Sequence, residues 1–313
     1  IDDLLVRIGS QTLDDVPRME ALRCQIIGDA MKLYRKMIDY SASDPRVTEA
    51  ALRALLLLAE ARSELGQQDV AREAVHEGIR LAESLLKAQP ENLSAKDLLA
   101  RLLMVVGGLD AISLHYDDAR RSYERALRLL EAISSQRPDR IRVKLHLALV
   151  KARLAGAFEA TGRVVEARDL LRTVLAEEGI LRSAPQEVSE ILSKVYHLSG
   201  MNAFMFGEPE RAEDYLKRAL DWQRSLVNEA PHRGRLQMNL AEIHRSSGDV
   251  LTTLGRASDA LEHYRESERV LDDLAKRFPG LALYRNRLAR ALFSLGAACQ
   301  RRGNLEDAEA LYR

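Results

Sequence analysis

Residues 248–264 read Gly248-Asp249-Val250-Leu251-Thr252-Thr253-Leu254-Gly255-Arg256-Ala257-Ser258-Asp259-Ala260-Leu261-Glu262-His263-Tyr264. Four positions in this run carry the fold. Gly248 is small, Gly255 follows seven residues later, Ala260 five after that, and Tyr264 four further on. The same frame recurs along the chain. Its glycine and alanine pairs are Gly66/Ala71, Gly162/Ala167, Gly207/Ala212, Gly255/Ala260 and Gly303/Ala308. Leu114/Ala119 fills the one gap, with leucine in the place of glycine. Successive units lie 48, 48, 45, 48 and 48 residues apart. Seven residues before each turn position stands a small residue: Ala59, Gly107, Ala155, Gly200, Gly248 or Gly296. Four residues after each alanine stands Val75, Tyr123, Leu171, Leu216, Tyr264 or Tyr312. Pro90, Pro138, Pro185, Pro231 and Pro279 close the units.

A fixed period of this kind marks a stack of supersecondary units, none of which buries its apolar face alone. Within each unit the frame predicts two helices, A and B, joined by a turn. The small residue lets helix A approach helix B closely. The glycine supplies the positive φ of a tight C-cap. The alanine sits where helix B crosses helix A, and the Tyr, Leu or Val one turn later packs between them. Proline ends helix B, because it lacks an N–H and clashes with the preceding turn.

Composition agrees. Lys plus Arg is 47 and Asp plus Glu is 47, a net charge of zero, with 5% aromatics among 313 residues. Phosphate binding runs on excess cations, so the balance argues against nucleic acid as a partner. No apolar run reaches the roughly 18 residues a membrane span needs. No membrane insertion by this segment is therefore expected. Cys24 and Cys299 fall in helical patterns without metal spacing and read as buried thiols.

The motif series resembles the tetratricopeptide repeat (TPR) pattern W-x2-L-G-x2-Y, A-x3-F, P. Leu295-Gly296-x2-Cys299 and Ala308-x3-Tyr312 match it most closely, and the resemblance covers residues 45–313. It implies an all-α fold: a right-handed α–α superhelix, a TPR-like solenoid of about six long hairpins behind an N-terminal helical cap. The ordinary TPR period is about 34 residues. The longer period here predicts about two extra turns on each helix and a deeper groove. The expected units are residues 45–90, 91–138, 139–185, 186–231, 232–279 and 280–313, the last incomplete. The chain reads as an excerpt of a longer protein. Leu292, Leu295, Leu305 and Leu311 are expected to be partly exposed at its end, with self-association or fraying there.

Residues 1–44 do not follow the frame and read as the cap: a short helix over Asp2 to Ile8, then a helix from Pro17 to about Tyr40. The run Ile1-Asp2-Asp3-Leu4-Leu5-Val6-Arg7-Ile8-Gly9, with Leu13-x2-Val16-Pro17, Leu22-Arg23 and Tyr34, is similar to the stretch before the long TPR repeats of planctomycete-type bacterial serine/threonine protein kinases. Leu288-Ala289-Arg290 and Leu271-x2-Leu274-Ala275-x2-Phe278-Pro279 look like that family too. This resemblance implies a kinase domain upstream, often with a membrane helix between. The first expectation for location is the cytoplasm; an extracytoplasmic one follows if such a membrane helix precedes Ile1. The chain itself carries no Gly-rich phosphate loop, no HRD and no DFG.

No catalytic constellation emerges. The seven histidines form no HExxH and no i,i+4 pair, so no metal site is expected, and none is expected for a cofactor. They read as surface or packing histidines, and Trp222 as a packing residue. The expected function is partner binding on the concave helix A surface. Counted from the small residue, that surface takes the positions six and three before it, and one, four and five after it. Its apolar middle holds Met104, Ile112, Leu149, His197, Met201, Phe204 and Met205, a strip suited to a peptide, a helix or another protein. Phe204 is the expected anchor. His197 is expected to add pH sensitivity near neutrality. The alternative is a regulatory, sensor or self-association region of a larger serine/threonine kinase.

Overall fold

A computed structural model describes residues 45–64, 66–181 and 187–312, with Gly28, Asp29 and Lys32. The expected cap at residues 1–44 lies outside the described residues apart from those three. Among the described residues every regular element is helical. In chain order they are α1 (Pro45–Glu64), α2 (Gln68–Ala88), α3 (Leu93–Ile112), α4 (Tyr116–Gln136), α5 (Ile141–Ala160), α6 (Val164–Ala176), α7 (Glu178–Leu181), α8 (Glu187–Met205), α9 (Pro209–Glu229), α10 (Gly234–Thr253), α11 (Ala257–Arg277), α12 (Ala282–Arg301) and α13 (Leu305–Tyr312). Most helices run 20 or 21 residues, which is about 30 Å at 1.5 Å per residue. Two compact units divide at Leu170/Leu171, within α6.

The turn from A to B uses one device throughout. Gly66, Gly162, Gly207, Gly255 and Gly303 all have φ between 71° and 79°. In the fifth hairpin, Gly255 N–H reaches back to Thr252 O at 3.1 Å and Arg256 N–H to Leu251 O at 2.9 Å. This pairing satisfies carbonyls that the helix end leaves open, and its left-handed residue is normally glycine. The other five turns repeat both bonds. In the second hairpin Leu114 stands at the glycine position with φ 63°, the single positive-φ non-glycine among the described residues. Its neighbours still bond as elsewhere, Leu114 N–H to Ala111 O at 3.1 Å and His115 N–H to Asp110 O at 2.8 Å. Leucine therefore takes the conformation that the motif demands. A Cβ in this region costs roughly 1–2 kcal/mol.

Helix B stops where the prolines predict. α2, α4, α9 and α11 each end two residues before proline, and their cap residues Gln89, Arg137, Ala230 and Phe278 share φ of −125° to −140° and ψ of 63° to 75°. The proline ring excludes helical geometry at the residue before it.

Packing follows the small and large pairs. A Cβ added at Gly107 would stand 2.7 Å from the Tyr123 ring, and one at Gly248 2.6 Å from the Tyr264 ring. At Gly200 it would meet Leu216 at 2.8 Å and the Ala212 carbonyl at 3.3 Å. The missing side chain lets the large residue lie on the helix A backbone. Helix B is amphipathic: α4 buries Ala119, Tyr123, Ala126, Leu130 and Ile133, one stripe at helical spacing. The A helices α3 and α5 are buried over much of their circumference. At the last hairpin the exposure is uneven. Leu305 is exposed, and Leu292 and Leu311 are half-buried. Leu295, expected to be partly open, is buried with Leu251, Leu261, Tyr264 and Cys299, because α11 of the preceding hairpin already covers it.

Two outcomes check this account. Leu114 is 70% exposed, so Leu114→Gly removes strain without loss of packing. It should stabilise the chain by about 0.5–1 kcal/mol, the relief of a left-handed residue less the added freedom of the unfolded chain; urea unfolding reads this. Gly200→Leu should destabilise by about 1–3 kcal/mol through overpacking, whereas Glu208→Gln should stay within about 0.5 kcal/mol. Equal melts for the last two would show that the register is misplaced.

Candidate functional site

Polar bonds between successive A helices set the edges of the helix A face. In the first unit Glu49 on α1 accepts from Asn92 Nδ2 at 3.0 Å and from Ser94 Oγ at 2.8 Å. Asp97 on α3 faces His146 Nδ1 on α5 at 2.9 Å. Burial works against the Asp97 charge. The hydrogen bond and charge of His146, with Arg101 and Arg142, nevertheless hold the carboxyl below its ordinary value. Arg153 on α5 donates to the Met104 carbonyl at 2.8 Å. In the second unit Arg235 pairs with Glu190, Arg287 with Glu242, and His197 Nε2 lies 2.9 Å from Ser246 Oγ. Partners in these ladders are 43 to 49 residues apart, about one repeat.

Between these bonds lie the expected partner-binding positions. The fifth position after the small residue is exposed in every complete hairpin from the second onward: Ile112, Ala160, Met205 and Thr253. The first and fourth positions after it are half-buried from the second hairpin to the fifth. The third position before it differs. Met104 is only 4% exposed and belongs to the core, and Arg153 of the next A helix donates to its carbonyl. Met104 thus offers no surface to a partner. Ile112 is 61% exposed and Leu149 half-buried, both in the first unit with Met104. In the second unit α8 carries His197, Met201 and Phe204, all half-buried, and Met205, 53% exposed.

His197 departs from expectation in its chemistry. Enclosure of the ring, with Arg245 and Lys194 nearby and only Glu242 opposing, lowers its pKa to about 4. The ring is neutral at pH 7 and serves as a hydrogen-bond partner of Ser246 rather than as a sensor near neutrality.

On α10 the same face is ionic. Arg245 pairs with Asp249 at 2.7 Å and lies 3.5 Å from Glu242, which also takes Arg287 from α12. Tyr264 on α11 donates to Asp249 Oδ1 at 2.8 Å. Burial first, then Asp249, pushes this phenol up to about 12. The helix B side holds a cleft of about 220 Å³ between α9 and α11. Four charges along its wall satisfy one another: Glu213 takes Lys217 at 2.9 Å and Arg256 at 2.8 Å, and Arg256 also holds Asp259.

One cluster escapes the residue-by-residue reading. His244 on α10 and His263 on α11 meet with Nδ1 atoms 3.1 Å apart and ring centroids 5.0 Å apart. Their signal was present in the register. They occupy the same frame positions as Tyr196 and Tyr215 in the fourth hairpin, whose rings also meet, at 6.2 Å. Among the described residues no three His, Cys, Asp or Glu side chains converge as metal ligands, and no helix is long and apolar enough to cross a membrane.

The architecture is that of known helical repeat proteins. The fold is TPR-like. BtubC (BKLC) from P. vanneervenii superposes with a TM-score of 0.59 at 19% identity, over 82% of this chain and 92% of that one. The apo form of RapI gives 0.55 at 13% identity, over 100% and 95%. A thermophilic TPR protein of Thermus thermophilus, TTC0263, gives 0.40 at 19% identity, over 77% and 99%. At these identities the likeness is one of fold. No protein-family model matches the sequence, and no curated protein matches it.

The His197 environment is open to direct measurement. An NMR titration of its imidazole should give a midpoint about two units below that of a free histidine, near 4. A midpoint near 6.5 would mean that the ring is open to water.

Proposed function

We propose that this chain is a protein-interaction scaffold that binds a peptide, a helix or a folded partner on its helix A face. The observation that carries this reading is the recurrent exposure of the fifth frame position, beside the half-buried first and fourth, on helix A from the second hairpin to the fifth. In the second unit that stripe holds Met201, Phe204 and Met205, three large apolar side chains on less than two turns of α8, with Met205 53% exposed. Apolar surface left in water costs about 25 cal/mol per Å², and Met and Phe are adaptable, high-yield contacts for a partner. In the first unit Ile112 and Leu149 supply the equivalent surface. A scaffold of this kind needs no cofactor and performs no chemistry of its own.

The reading as a self-associating region of a larger kinase draws on the last hairpin. Phe293 is 67% exposed and stacks on Tyr312 at 5.7 Å, and Leu305 is 64% exposed. The corresponding Met104 of the second hairpin is buried. A second copy, or another helical hairpin, would cover this surface.

Capture of partners by the immobilised chain, followed by quantitative binding, tests the scaffold. Met201→Ala with Phe204→Ala should weaken binding at least tenfold. Since both side chains are half-buried, the pair should cost less stability than the roughly 3–5 kcal/mol of a single core phenylalanine. Stability lost on that scale would place both residues in the core and remove the face. Phe293→Ser should shift a dimer toward monomer in sedimentation if the last hairpin self-associates, and leave partner binding on α8 unchanged.

A further inference from the structure

The His244–His263 contact stands where the fourth and sixth hairpins place an aromatic and an apolar pair. Counted in the repeat frame, the two positions hold Tyr196 and Tyr215 in the fourth hairpin and Leu292 and Leu311 in the sixth. His244 is only 6% exposed, and His263 lies at the wall of the cleft between α9 and α11. Two imidazoles with nitrogens 3.1 Å apart share at most one proton between them in that contact. A second proton there would leave two N–H donors facing each other with one ring an imidazolium, so the bond between the rings would be lost. Ser267, fully buried on α11, has a hydroxyl with no hydrogen-bond partner, so it does not already bond either ring.

We propose that the fifth hairpin, α10 with α11, is an acid-sensitive joint, in which proton entry into the His244–His263 contact drives the two helices apart. The consequence reaches the helix A face. Asp249 on that face is held by Tyr264 of α11 and in turn holds Arg245. Separation of α11 from α10 releases this chain of bonds, so the joint couples acidity to the ionic strip that α10 presents.

Burial and the nearby arginines outweigh the carboxylates that face the pair. His244 is kept neutral first by burial, then by His263, Arg224 on α9 and Arg269 on α11, with Glu266 opposing, and its pKa falls to about 4. His263 is lowered by burial, Arg224 and Arg256, against Glu262 and Asp259. A histidine in the unfolded chain titrates near 6.5. Between that pH and about 4 the unfolded state therefore binds more protons than the folded one. Stability is fully present above pH ~6.5 and falls as the pH drops toward 4.

The test is urea unfolding of the whole chain at pH 6.0 and 5.0, with the native chain beside His244→Leu/His263→Leu and His244→Tyr/His263→Tyr. These are the pairs of the sixth and fourth hairpins at the same register. Other groups that titrate in this window, His197 and the carboxylates, are common to all three chains and cancel. The native unfolding constant should rise roughly tenfold or more over this pH unit relative to either variant, since each ring that takes up a proton on unfolding contributes up to a factor of about ten per pH unit. Parallel rises in native and variant chains would overturn the proposal. If either pair fails to fold, the other carries the comparison. An NMR titration of the native chain stands independently of both. A His244 midpoint near 4 and a His263 midpoint below that of a free histidine, with loss of amide protection in α10 and α11 as they titrate, support the joint. Midpoints near 6.5 without that loss refute it.

Discussion

The close approach of helix A to helix B at one small residue is the constraint on which the remaining architecture depends. Where Gly107, Gly200 or Gly248 stands, the partner side chain lies against bare backbone, and a single Cβ would sit under 3 Å from Tyr123, Leu216 or Tyr264. That contact fixes the rotation of helix B about its own axis. It therefore decides which stripe of helix B is buried and which face of helix A is left for the next hairpin. The turn serves the same end. Its left-handed residue and two backbone bonds hold the hairpin at one length, so the small and large residues meet sixteen positions apart, as at Gly107/Tyr123, Gly200/Leu216, Gly248/Tyr264 and Gly296/Tyr312.

Leu114 shows how strongly the motif dominates local preference. A leucine avoids positive φ, yet here it adopts 63° with both turn bonds intact. The packing of α3 against α4 requires that turn, and burial of Tyr123, Ala126 and Leu130 outweighs a strain of roughly 1–2 kcal/mol. The same logic separates structure from function on the A helices. Much of α3 and of α5 is buried, which leaves a narrow exposed stripe on each. In the fourth hairpin that stripe is apolar, with Met201, Phe204 and Met205. In the fifth it is ionic, with Glu242, Arg245 and Asp249. One fold thus carries two chemically different surfaces within a single unit.

The sequence by itself determined the hairpin, because its determinants are local and repeat six times. Turn glycines, terminating prolines and the paired small and large positions all act within one unit, through backbone geometry and side-chain volume. Tertiary structure decided the rest, because it depends on what the adjacent hairpin covers. Met104 and Ile112 share one helix and one apolar character, yet the first is core, where Arg153 of α5 bonds its carbonyl, and the second is exposed at the helix end. His197 reads as a sensor in isolation, but burial first, with Arg245 of the next A helix beside it, makes it a neutral group bonded to Ser246. His244 and His263 lie nineteen residues apart, and only antiparallel packing brings their rings into contact. Periodicity encodes the unit; the environment of each titratable side chain is set by neighbours roughly one repeat away in sequence, and their identity is written nowhere in the unit itself.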